Sequence, residues 1–380
     1  MLFPIALMVS ATVLFSLVWQ SVGEQSTFAS LERDGIRYIQ ALEPLEIALT
    51  NAESVAVRGG SAPREPLALA VADVAKADKE LGERLRTEDR WTELRTKVES
   101  LPAEGAAAPI IAAYGGVSEL LLALMDKVRN TSQLIRDPEV DTYYLEDGAA
   151  QELPEGIVAA AQYTDLLLSV VGESPAAQAK VADDVRSAYS GLAGNAKDLS
   201  DDIRLAVEGS DGGALGTALL SKLDRFNRSI DDLAPLMSPL SNGTGRIDTA
   251  KVVRSRDEMQ AAAADLSATL LTQIDSALAD RLASLSHRRL LAIGILLAPV
   301  LLGLALVVPS LVARRRQDKG APPRERPTAG RHDPAHPAPA QPVTVPPTPW
   351  PTGPVQRPES RPSETAGSEY ARWEQFSAPQ

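Results

Sequence analysis

Apolar residues return at three- and four-residue steps along most of this chain, the period of a helix with one buried face, and no run alternates as a strand would. From Phe28 to about Val57 the stripe is Leu31, Tyr38, Leu42, Leu45, Leu49 and Ala52, and Gly59-Gly60-Ser61-Ala62-Pro63 ends it. A second helix is predicted from about Glu65 to Leu101, with Leu67, Val71, Val74, Leu81, Leu85, Trp91, Leu94, Val98 and Leu101 inward. A third carries Ile111, Tyr114, Val117, Leu121, Leu124, Val128 and Ile135 as far as Arg136, where Asp137-Pro138 intervenes. Proline disfavours helix in the residue before it and suits a first helical position, so Asp137 reads as the N-cap of a short new helix. Further helical patterns occupy about 154–171, 175–207 and 215–236, and the last starts near Ile247 with Met259, Leu266, Leu270, Ile274, Leu278, Leu282 and Leu285 inward.

Two apolar runs lie outside this amphipathic pattern. Leu290 to Ala313 is 24 residues without a charge, and at about 1.5 Å per residue it exceeds the ~30 Å hydrocarbon core of a bilayer. Leu2 to Trp19 is also charge-free and ends on an interfacial type of aromatic. It reads as a first span; the competing reading is a signal peptide cleaved before Glu24, after Ser21-Val22-Gly23. No basic flank precedes it, which suggests a start codon assigned too late. Both runs are continuous with helical patterns of the intervening domain. The expected fold is therefore all-α: an antiparallel helical bundle, four-helix or stacked, between two transmembrane helices, with a disordered tail. The expected boundaries are 1–22 for the first span, 23–286 for the bundle, 287–313 for the second span and 314–380 for the tail.

Charge orients this arrangement. Residues 23–286 carry 26 basic and 43 acidic side chains, a net charge of −17, whereas Arg314-Arg315-Arg316 and Lys319 follow the second span. The positive-inside rule puts both termini in the cytoplasm and residues 23–286 outside the cell membrane, with the lipid bilayer as the first partner. Arg288 and Arg289 weaken the asymmetry without reversing it. An acidic exterior disfavours nucleic acid.

Chemistry is sparse. The chain has no cysteine, so thiolate metal sites, disulfides and thiol nucleophiles drop out. His332 and His336 have helical metal spacing but lie in a proline-rich stretch. No nucleophile, base and oxyanion set assembles, and no glycine-rich phosphate loop is present. A non-enzyme without metal or cofactor is expected. Asn130, Asn227 and Asn242 begin sequons that read as chance matches.

Residues 130–147, NTSQLIRDPEVDTYYLED, resemble a stretch near SNLILDPDLDSYYLMD in the extracytoplasmic sensor regions of bacterial methyl-accepting chemotaxis proteins and related sensor kinases and cyclases. Upstream, ERDGIRYIQALEPLEIAL is similar to that family's ERKGVxYLxPLLxLL opening, Arg58-Gly59 falls at its RG, and DRWTELR is similar to its ERWQALR. The likeness covers about residues 28–160. It implies a helical sensor domain, dimerisation and a small ligand, detected outside and reported through a separate cytoplasmic partner. Arg136 and Glu146 stand where the family has apolar residues, and a proline-rich tail follows the second span in place of a HAMP coiled coil and output module. The alternative is a non-catalytic envelope scaffold whose tail recruits cytoplasmic proteins.

The candidate ligand residues are Arg58, Asn130, Arg136, Asp137, Asp141, Tyr143 and Tyr144. Five carboxylates, on Asp137, Glu139, Asp141, Glu146 and Asp147, sit beside the two tyrosines, a composition suited to an amine, a polar metabolite or a cation. The plainer reading is a capped, solvated helix start with two anchoring tyrosines. Arg58 could meet an anion, or bond the last carbonyls of its own helix. In the tail, Tyr370, Trp373 and Phe376 recur every three residues and could form one face of a partner-binding helix.

Overall fold

The structure is a computed structural model, and it describes residues 2–136, 140–209, 213–241 and 246–318. The chain falls into two units, Met1–Gln317 and Asp318–Gln380; beyond Asp318 the second lies outside the described residues, with Tyr370, Trp373, Phe376 and the His332/His336 pair. Every regular element among the described residues is helical, so the fold is all-α.

Two helices dominate. α1 (Leu2–Val57) and α10 (Thr249–Asp318) are unbroken, about 84 and about 105 Å long at 1.5 Å per residue. Between them run α2 (Arg64–Leu85), α3 (Glu88–Glu99), α4 (Ala107–Ser132), α5 (Val140–Asp147), α6 (Leu153–Ser169), α7 (Pro175–Gly209), α8 (Gly213–Asp231) and the single turn α9 (Ser238–Ser241). α1 packs on α2, α4 and α6, and α7 packs on α5, α6 and α8. α10 lies along α1. Arg33 grips Asp275 through two hydrogen bonds of 2.6 and 3.0 Å, and Arg256 donates to the Thr50 carbonyl at 2.6 Å. One hydrophobic cluster runs from Ile36 to Leu278, and Tyr38, Leu42, Leu45, Leu49 and Ala52 are all in it, as the stripe on α1 requires.

The expected single helix from 65 to 101 is two helices. Arg86 takes a left-handed conformation (φ 55°) and ends α2, although nothing local resembles a breaker. Tertiary hydrogen bonds hold the break: Asp78 Oδ1 accepts from the Thr87 hydroxyl and from Tyr38 of α1, both at 2.7 Å. The third helix stops at Ser132 rather than Arg136; Gln133 is left-handed (φ 72°), and Leu134–Arg136 form a 3₁₀ turn. Asp137, Pro138 and Glu139 lie outside the described residues, and with them the expected N-cap.

Among the described residues, α4 is the helix long and apolar enough to cross a membrane. Its inner face, including Ile110, Tyr114, Leu121, Leu124 and Val128, is buried in the domain core. By contrast Leu14, Leu17, Leu290, Ile295 and Leu301, in the outer stretches of α1 and α10, are each at least 60% exposed. The Arg289 guanidinium lies 5.6 Å from the centroid of the Trp19 ring, so the charged edge of one apolar stretch meets the aromatic edge of the other.

Candidate functional site

The tyrosine pair sits on α5, which continues through one turn of π-helix, Gly148–Glu152, directly into α6. A π turn adds a residue to the helical register and often accompanies functional sites. Arg129, buried on α4, reaches across to this defect and donates to Asp147 and to Gln151, with Asp126 of its own helix 3.6 Å away. Tyr143 and Tyr144 meet edge to face with ring centroids 5.4 Å apart. Tyr144 packs against the core, and the Tyr143 phenol is pushed up in pKa by the Asp147 charge and then by burial.

Beside them the carboxylates of Asp147, Glu152 and Asp202 bring oxygens within 4.8 Å of one another. Burial, and then repulsion from Glu155, Asp147, Asp198 and Asp202, pushes Glu152 up to about 7. Asp202 is pushed up to about 6 by burial and by Asp147, Asp198 and Asp201. Burial first, and then the crowding of like charges on one half-buried surface, favours the protonated forms of both groups. Three hard oxygen donors without histidine or thiolate suit an ammonium group or an oxygen-seeking divalent cation, although Arg129 already occupies Asp147. The adjoining cleft, lined by Leu122, Met125, Asp126, Arg129, Ala150, Gln151 and Glu155, holds about 100 Å³, room for an ion and water rather than a metabolite.

Among the described residues, the sequence-derived candidates do not converge. Asn130 is exposed and bonds back to Asp126 at 2.9 and 3.0 Å, and Arg136 is exposed on the 3₁₀ turn. The backbone of Asp141 belongs to α5, but its side chain, like Asp137, lies outside the described residues. Arg58 bonds the Ser54 carbonyl of its own helix at 2.9 Å. Sequence reasoning missed Arg129, Gln151, Glu152 and Asp202. Arg129 and Glu152 flank the Asp-Pro…Tyr-Tyr block, but Asp202 arrives from α7, and nothing in its local pattern marks it.

Arg58 belongs to a second polar group, at the junction of α1, α6 and α10. Here Glu53, Asp165 and Arg256 are at most 4% exposed. Arg256 donates to Thr50 O and to Asn51 Oδ1 (3.1 Å), and Gln260 donates to the Thr50 hydroxyl at 2.7 Å. The Ser54 hydroxyl lies beside Asp165 without meeting hydrogen-bonding geometry, and neither Asp165 oxygen has a hydrogen-bond partner among the described residues. On α1 the buried acids Glu32, Glu46 and Glu53 share one face at multiples of seven residues. Glu32 meets Arg281 at 3.5 Å, and burial raises Glu46 well above the usual carboxylate range.

No family model, curated protein or solved structure matches this chain. The functional reading therefore rests on its own residues. An open groove of about 690 Å³, lined by Arg58, Arg225 of α8 and Arg254, Asp257 and Glu258 of α10, mixes both charge signs and singles out neither an anion nor a cation.

Proposed function

We propose that this chain is a non-catalytic, two-pass membrane sensory protein, an antiparallel helical bundle held outside the cell and reporting through a separate cytoplasmic partner. The observation that carries the reading is the continuity of α1 and α10, each unbroken from an exposed apolar stretch into the buried core. Trp19 and Arg289 lie side by side where those stretches begin, as residues at one membrane surface would. Helices that span both solvent and lipid transmit shifts of about 1–2 Å without any chemical step. The resemblance of residues 28–160 to chemotaxis-type sensor regions points the same way, and it extends the proposal to a homodimer.

The α4–α5–α7 junction is the proposed ligand region, with a cation or a small amine as the ligand class. Thermal-shift measurements on the purified full-length chain, with calcium, magnesium, ammonium and small primary amines, test it. The proposal expects a reproducible stabilisation that Tyr143→Ala and Glu152→Gln abolish, because a ligand bound only to the folded state raises its stability by mass action. A flat screen across all these classes overturns ligand sensing in favour of a scaffold that holds other envelope components.

A further inference from the structure

The group at the α1–α6–α10 junction has no part in the ligand region described above, and its composition is unusual for a core. Two acids and one arginine come from three helices, and all are buried. Buried charges are ordinarily paired and hydrogen-bonded. Arg256 meets this requirement through Thr50 and Asn51, both on α1. Asp165 does not: among the described residues its oxygens lack hydrogen bonds, and Arg256 is the one buried guanidinium at the junction for two carboxyls.

We infer that Glu53, Asp165 and Arg256 form a proton-operated latch that fastens α6 between the two long helices and makes external pH a stimulus of this protein.

The groups facing the latch come from every side. They are Arg58 just beyond α1, Tyr114 on α4, and Asp257, which lies 3.5 Å from Arg256 on α10. Burial holds Asp165 at about 7, with Arg256, Ser54 and Arg58 drawing it down. Burial and then the Asp165 charge hold Glu53 at about 8, with Arg256 drawing it down. The two carboxyls titrate as a coupled pair. Full proton loss leaves two carboxylates in the core facing Arg256, the one buried guanidinium of this junction among the described residues, which is ion-paired to neither of them. That state loosens the junction, and proton uptake refastens it.

The chain has no cysteine, so spin labels can be placed without removing native residues. Gln162 on α6 and Ala261 on α10 are both exposed, and Gln162→Cys with Ala261→Cys reports the distance across the latch. Full-length protein in lipid nanodiscs is measured at one pH well below 7 and one well above 8. The distance distribution is expected to broaden or lengthen at the higher pH, and infrared difference spectra to show the loss of protonated carboxyl. Glu53→Gln, which cannot ionise, keeps the low-pH distribution at both; should it fail to fold, Asp165→Asn provides the same comparison. Identical distributions in the parent at both pH values, with no carboxyl signal, overturn the latch. The inference rests on the sensory reading only for its consequence. A pH-dependent distance without any pH-dependent cellular response would leave the latch standing and remove the sensor.

Discussion

Arg33 on α1 and Asp275 on α10 are 242 residues apart in sequence and form a two-pronged ion pair, with Nε and one terminal nitrogen each on its own carboxylate oxygen. The pair is about 30% exposed on each side, so water screens it, and its worth is about 0.5–1 kcal/mol. Asp275→Asn is expected to lower the melting temperature by a few degrees at neutral pH. The Arg33 hydrogen bond holds the Asp275 carboxyl below the usual range, so its contribution is present above the unfolded-state value and is lost as pH falls through the folded one. Parent and variant should therefore converge in acid, which thermal melts across pH will check.

Gly35 lets α1 and α4 approach closely, because a methyl group there would collide with Ser132. Gly35→Ala is expected to destabilise by about 1–3 kcal/mol through overpacking. Gly115, also helical, has open space where its Cβ would be, and Gly115→Ala is expected to stabilise by about 0.5–1 kcal/mol. Urea unfolding of both variants should give shifts of opposite sign.

Asp78 ties the α2–α3 break to α1 by accepting from Tyr38 and Thr87. Asp78→Ala strands two hydroxyls, and both residues are fully buried. The expected cost is about 2–4 kcal/mol, with Tyr38→Phe costing less because it removes one donor and strands nothing comparable. Amide exchange at residues 85–91 should accelerate in Asp78→Ala before the rest of the domain.

Glu53 at about 8 and Asp165 at about 7 both lie above their unfolded values near 4. Between those limits the folded chain binds more protons than the unfolded one, so stability declines as pH rises from about 4 through about 8. Glu152 and Asp202 act in the same direction. The melting temperature should be higher at mildly acidic than at alkaline pH. Glu53→Gln should flatten the slope, and an unchanged slope in that variant would assign the effect to other groups.

The helices were legible where periodicity and punctuation agree. Leu42, Leu45 and Leu49 mark the face of α1 that is buried, and Pro154 and Pro175 stand at or beside the starts of α6 and α7. The break at Arg86 was not legible, because GERLRTED favours helix and only Tyr38, some 50 positions away, helps fix the turn. The burial of Glu46 and Glu53 is illegible for a similar reason. A glutamate beside a leucine stripe ordinarily faces water, and only the partner helices reveal that α1 is buried on this face as well. At the candidate ligand region the Tyr143-Tyr144 block is legible by composition, whereas Asp202 joins it only through the packing of α7 on α5.

Topology is the central claim, and the absence of native cysteine makes it directly measurable. Thr96→Cys, exposed on α3, and Ser363→Cys in the tail are treated on intact cells with a membrane-impermeant maleimide. The two-pass account predicts that Thr96→Cys is labelled at once and Ser363→Cys only after permeabilisation. Equal labelling of both positions on intact cells, or labelling of Ser363→Cys alone, would contradict it.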